Sequence, residues 1–147
     1  MTKTPADDLA ELLHKPQYWM YKAEALRASA GAVRYCQQGV FPEKLEEPEI
    51  NMSGMWQVYR MLCGMSLELA YKASLVAMGK KIRTTHDLVS LAEEVCFKLS
   101  PEERGLLALL AECVIWEGRY PCPKDELALE YFVYLHYENL FSKGSRG

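Results

Sequence analysis

No run of about 18 consecutive apolar residues occurs in the chain, so no membrane-spanning helix is expected. Histidine is scarce: His14, His86 and His136 lie far apart, and none forms an H-x-x-x-H pair. The cysteines, Cys36, Cys63, Cys96, Cys113 and Cys122, include no C-x-x-C pair. These gaps speak against a zinc site, and no metal or cofactor is implied. Glycine (9) and proline (7) are few and clustered, which excludes collagen-like and linker-like chains. G-x-G-x-x-G, G-x-x-x-x-G-K-[ST] and G-x-S-x-G are all absent, and with them the usual signatures of dinucleotide, P-loop and hydrolase chemistry. Positive charge is not in excess either. With 17 Lys+Arg against 20 Asp+Glu the formal charge is −3, which excludes a globally basic, DNA-coating protein but not a local basic patch.

What is present is ordinary for a globular domain. The 147 residues are 50% hydrophobic and 25% charged, enough for one core. The first residues, MTKTPADDLAELLHKP, carry acids early and lack the apolar run of a secretory leader. An odd number of widely spaced cysteines reads as reduced thiols, most of them small core hydrophobes, in a cytoplasmic protein.

Helical periodicity dominates. The spacing predicts a first helix over residues 17–38, with Trp19, Ala23, Leu26, Ala30 and Val33 on one face. The acidic, proline-bearing segment 39–51 reads as a solvated loop. A second, long helix over residues 53–78 is the expected spine, and Gly79 stops it. Its small residues, among them Gly64, Ser66 and Ala70, permit another helix to approach closely. A third helix is expected to start at Thr85–Asp87 with Thr84 or Thr85 as its cap, and to run to Phe97. A fourth opens on Ser100-Pro101-Glu102-Glu103, a full start signal, and stops at Gly118. RYPCP cannot be helical, and a fifth helix covers residues 124–141. The expected fold is an all-α, up-and-down bundle of four or five helices over residues 17–142. Residues 1–16 form an N-terminal extension and 143–147 a disordered tail.

A few polar residues sit where chemistry is conceivable. Glu68 and Lys72 lie four apart in the most apolar helix. They read either as an exposed i,i+4 ion pair or as a polar pair at the mouth of an interhelical groove. His86 opens the third helix, where it bonds a capping group, acts as acid or base, or holds a ligand. Arg119 closes a helix C-terminus, where a cation suits the dipole. On its proline-stiffened turn, with Tyr120 alongside, it also suits a phosphate and a stacked base. Lys72, Lys80, Lys81 and Arg83 run without an intervening acid, as a dipole complement or as the edge of an anion or RNA surface.

The order of these pieces carries a resemblance. LCGMSLELAYKASLVAMG, a basic loop, HDLVSLAEE, then LSPEE opening a helix that ends in IWEGRYP, resembles the HEPN (higher eukaryotes and prokaryotes nucleotide-binding) domain over residues 19–131. The resemblance implies a compact bundle of four or five helices, a homodimer, and a cytoplasmic role of toxin–antitoxin or phage-defence type. Many members of the family cleave RNA with an Arg, four to six residues, then a His. The Arg steadies the scissile phosphate, and the His is proposed to move the proton of the ribose 2′-hydroxyl. Here the corresponding positions after Arg119 hold Lys124, Asp125 and Glu126, and the next histidine is His136. The resemblance therefore implies Arg119 and Tyr120 as phosphate and base contacts, without a catalytic residue. It is nearest to the non-RNase branch with HDL and RYP elements, which is associated with nucleotide binding or with a nucleotidyltransferase-type partner.

Three functions follow as expectations. The first is a nucleotide- or RNA-phosphate-binding module using Glu68, Lys72, His86, Arg119 and Tyr120. The second is an interaction protein, favoured by aromatics on more than one face of the last helix. The third is a metal-independent endoribonuclease with a displaced histidine.

Overall fold

The computed structural model describes the backbone of residues 4–37 and 48–141, and the side chains of 4–37 and 54–138. Among these the fold is all-α, with six helices and no strand. They are α1 (Pro5–Leu13), α2 (Pro16–Gln37), α3 (Pro48–Ala77), α4 (Leu88–Glu94), α5 (Pro101–Glu112) and α6 (Glu126–Phe141). The expected tail and most of the acidic segment 39–51 fall outside the described residues.

Helix α1 lies within the N-terminal extension and was not expected. Thr4 and Asp7 start it reciprocally. Asp7 N–H donates to Thr4 Oγ1 (3.3 Å), while Thr4 N–H and O–H donate to Asp7 Oδ2 (2.9 and 2.7 Å). The acceptance of these bonds holds the Asp7 carboxyl below its ordinary value of 3.8. Helix α1 buries no residue and touches α2 alone to any extent.

The spine is α3. Its 30 residues begin five earlier than expected and span about 45 Å at 1.5 Å per residue. Helix α2 lies along it antiparallel. Arg34 stacks over the Trp56 ring at 4.9 Å, and Ser66 Oγ donates to the Ala23 carbonyl at 2.8 Å. Ala23 and Ala30 are buried in the seam, where their small side chains allow the approach. Helices α4 and α5 cover another side of α3. Leu88, Ala92, Leu107, Leu110 and Ala111 form the core there, with Leu67 and Tyr71 of α3 against them.

Ser100 caps α5 as read, with the Ser100–Glu103 capping box complete. The cap of α4 is Asp87 rather than Thr84 or Thr85, its carboxylate accepting from Ser90 N–H. Helix α4 ends at Glu94, short of Phe97, because Cys96 takes a left-handed turn (φ 62°). Asp125 likewise caps α6, which starts at Glu126.

Beyond Glu112 the chain stays helical but widens. Cys113–Glu117 form one π turn, closed by Gly118 N–H donating to the Cys113 carbonyl at 3.0 Å. Two glycines let this turn lie against α3. A Cβ on Gly64 would meet Val114 Cγ2 at 2.6 Å and the Leu110 carbonyl oxygen at 2.8 Å. One on Gly118 would meet Met61 at 2.5 Å. Of the five cysteines, all reduced, Cys113 alone is buried; Cys96 and Cys122 are exposed, so most are not core hydrophobes. Burial pushes the Cys113 thiol up to about 12. Helix α6 packs on α5, and its Phe132 meets Trp116 of the π turn edge to face at 5.0 Å. Along α6, Leu135 is buried, whereas Leu127 and Tyr134 are exposed. No described helix is long and apolar enough to cross a membrane.

Candidate functional site

Glu68 and Lys72 occupy one stripe of α3, and the helices packed around the spine leave that stripe little access to water. Each residue is 7% exposed, so the exposed-pair reading is overturned. Lys72 Nζ donates to Glu68 Oε1 at 2.6 Å. Charges this poorly hydrated persist only when paired and hydrogen-bonded, and the second carboxylate oxygen is also taken. His86 Nδ1 lies 2.7 Å from Glu68 Oε2. A carboxylate only accepts, so Nδ1 carries a proton toward Glu68, and in the neutral ring Nε2 is the acceptor.

His86 therefore does not bond a capping group of its own helix. Asp87 performs the capping, and the imidazole crosses to α3. Its side chain is half exposed, with Glu68 behind it and solvent in front.

Arg119 follows the π turn. Its Nη2 donates to the Ile115 carbonyl at 2.8 Å, the C-terminal closure read from the sequence. The widened turn and the contact of Gly118 with Met61 also bring Arg119 to the cleft that holds Glu68 and His86. Met65, Glu68, Leu69, His86, Val114 and Arg119 line one cavity of about 120 Å³. Among the described residues no carboxylate pairs with Arg119, so its other N–H donors are open to an anion. Tyr120 is exposed and does not line the cavity. It stands beside the guanidinium, 5.6 Å from ring centre to Cζ.

The structure thus gathers Glu68, His86 and Arg119 around one cleft, with Lys72 fixed behind Glu68 and Tyr120 at the rim. Lys72, bonded behind Glu68, offsets the one carboxylate, so the Arg119 guanidinium is the charge that an anion meets at the cleft. Its volume admits about four waters at 30 Å³ each, the bulk of one phosphate group rather than of a whole nucleotide. No group of three His, Cys, Asp or Glu residues suited to a metal occurs among the described residues.

A second, half-buried charge pair has no signal in the sequence. Arg60 Nη2 donates to Glu117 Oε1 at 3.1 Å, tying α3 to the π turn two residues before Arg119. The partners are 57 residues apart, so no local spacing could signal them. Lys80 and Arg83, from the basic run, are tied to α4. Lys80 Nζ donates to the Glu94 carbonyl (2.7 Å), and Arg83 Nη1 to Ser90 Oγ (2.7 Å). Compared with protein-family models, curated proteins and solved structures, the chain matches none.

Proposed function

We propose that this chain is a HEPN-like helical bundle acting as a non-catalytic module that binds a phosphate of a nucleotide or of RNA. The observation that carries the reading is the convergence of Glu68, His86 and Arg119 on one phosphate-sized cleft. Arg119 supplies forked N–H donors, His86 Nε2 accepts from a sugar hydroxyl, and Tyr120 at the rim offers a ring for a base. Lys72 and Glu68 position the imidazole from behind. The bundle works as a homodimer, in the toxin–antitoxin or defence setting that the resemblance implies. A nucleotidyltransferase-type protein is its proposed partner. The exposed apolar residues of α6, Leu127, Tyr134 and Tyr137 among them, supply surface for either contact.

Isothermal titration of a single-stranded RNA decamer and of mononucleotides tests the reading. Uptake that falls roughly tenfold or more in Arg119→Ala is expected, as for loss of a charge-assisted contact. No uptake of any nucleotide or RNA removes the proposal.

One observation favours an alternative. The 2.7 Å contact of His86 with Glu68 orients an imidazole as a base or acid beside an arginine, the minimum for metal-independent RNA cleavage. That reading expects total RNA to be degraded in the presence of a chelator, and degradation to stop in His86→Ala.

A further inference from the structure

A groove of about 400 Å³ runs between the first turns of α5 and the later half of α6, and shares no lining residue with the cleft at Arg119. Its size falls in the range of small-ligand sites, roughly 300–1,000 Å³. Gly105 and Ala108, both small, keep the α5 wall low. Tyr131, Tyr134 and Glu138 stand on the α6 wall, with Glu102 on the opposite one. The two tyrosines lie three residues apart and Glu138 four further on, which puts all three on one face of α6. Tyr131 and Tyr134 are 47% and 59% exposed, so both are open to a ligand.

The charge around this groove is one-sided. Helices α5 and α6 together carry six carboxylates and one cation, Arg104. Arg104 Nη2 lies 2.7 Å from Glu93 Oε1 of α4, so its charge is matched by a residue outside the groove. No lysine or arginine occurs between Glu126 and Phe141. Glu138 stands in the last turn of α6, where the helix dipole disfavours a carboxylate, and Glu126 and Glu130 repel each other at i,i+4 spacing. Neither placement helps α6 to form, and both suit a cation from outside. Glu130 and Glu138 have no cationic partner among the described residues. The negative field reaches the groove wall: burial, with the carboxylates of Glu112 and Asp87, holds the Tyr131 phenol above its ordinary value of 10.

We infer that this groove docks an arginine from a basic segment of a partner protein. The guanidinium lies against the Tyr131 and Tyr134 rings and its fork reaches Glu138, with Glu102 on the facing wall. Arginine fits better than lysine. A planar, weakly hydrated guanidinium stacks on a ring and forks to a carboxylate, whereas an ammonium is compact and strongly hydrated. Glu130, Tyr134 and Glu138 follow one another at four-residue steps of about 6 Å along α6, so a helical segment with arginines at the same spacing matches the ridge. Such a segment gives the protein contact proposed for α6 its chemistry, and the groove does not depend on what the Arg119 cleft binds.

The test is titration of the full chain with an alanine-based helical peptide carrying arginine at every fourth position, followed by calorimetry and by the tyrosine ring signals. The peptide is expected to bind and to shift Tyr131 and Tyr134 together. Its lysine counterpart should bind roughly fivefold or more weakly, since it neither stacks nor forks as well. Glu138→Lys, which alters an exposed residue and leaves the core intact, should weaken the arginine peptide roughly tenfold or more. Tyr134→Leu, which keeps apolar bulk and removes the ring, should weaken it about threefold. Four results each overturn the groove: no uptake, a lysine peptide as tight as the arginine one, full affinity in Glu138→Lys, or shifts confined to other tyrosines. A changed oligomeric state of Glu138→Lys in light scattering, with no peptide uptake by the unaltered chain, assigns the face to a second copy and overturns it too. Arg119→Ala separates the two sites. It should leave peptide affinity unchanged, and a loss of peptide binding there removes the groove as a separate site.

Discussion

Replacing Lys72 by methionine keeps the side-chain volume and removes the ammonium, leaving Glu68 charged in a setting where both side chains are 9% exposed. For an exposed i,i+4 pair the loss would be about 0.3–0.5 kcal/mol. Removing one partner of a buried pair costs about 3–5 kcal/mol, because the other charge is stranded. His86 still donates to Glu68, which offsets part of this, so about 2–3 kcal/mol is expected for Lys72→Met. In a chain of this length that lowers Tm by about 4–12 °C. The assay is a double-mutant cycle by urea and thermal denaturation, using Lys72→Met, Glu68→Gln and the pair together. The pair should cost at least about 1 kcal/mol less than the sum of the singles. A single-mutant cost under about 0.5 kcal/mol, with additive singles, would refute the burial argument.

Further outcomes follow from other contacts. Gly64→Ala drives a methyl into the Leu110 carbonyl oxygen, a backbone atom that cannot swing aside; a loss of about 1–3 kcal/mol is expected by denaturation. Thiol titration with an aromatic disulfide should label exposed Cys96 and Cys122 first, and Cys113 only after unfolding, since burial holds its thiol protonated. Acid should loosen α1. The Asp7 carboxyl is depressed in the folded chain, so its contribution is complete above the ordinary value of 3.8 and is lost as pH falls through the folded value. Amide protection at Asp7 and Asp8, taken relative to the intrinsic exchange rate at each pH, should therefore fall at the acid end of a pH series, and Asp7→Asn should remove most of that dependence.

The elements that announce themselves locally were legible. Ser100-Pro101-x-Glu103 fixes the start of α5 in four residues, and the long apolar period of α3 needs no tertiary partner to be seen. Helix α1 is nine residues long and buries nothing, so it stayed within the expected extension although local signals mark it. Thr4 with Asp7 three residues on, Pro5 at the first turn, and Leu9, Leu12 and Leu13 at helical spacing all point to it. The π turn has no local signature, since the packing of Val114 and Gly118 on α3 selects the wider bond pattern. The candidate site was legible as a set of residues but not as a geometry. Spacing put Glu68 and Lys72 on one stripe, yet whether that stripe faces water depends on which neighbours surround α3. The crossing of His86 to Glu68 joins residues 18 apart across a loop, which periodicity does not reach.

The reading stands or falls on whether a phosphate enters between His86 and Arg119. The most direct measurement is the set of histidine and arginine side-chain nitrogen signals while a short single-stranded RNA is added. The His86 imidazole and the Arg119 Nε signals should shift together and saturate at one ligand concentration. His136, stacked on Phe132 in α6, should stay in place. Unchanged His86 and Arg119 signals at saturating RNA would contradict the proposal, as would shifts confined to other residues.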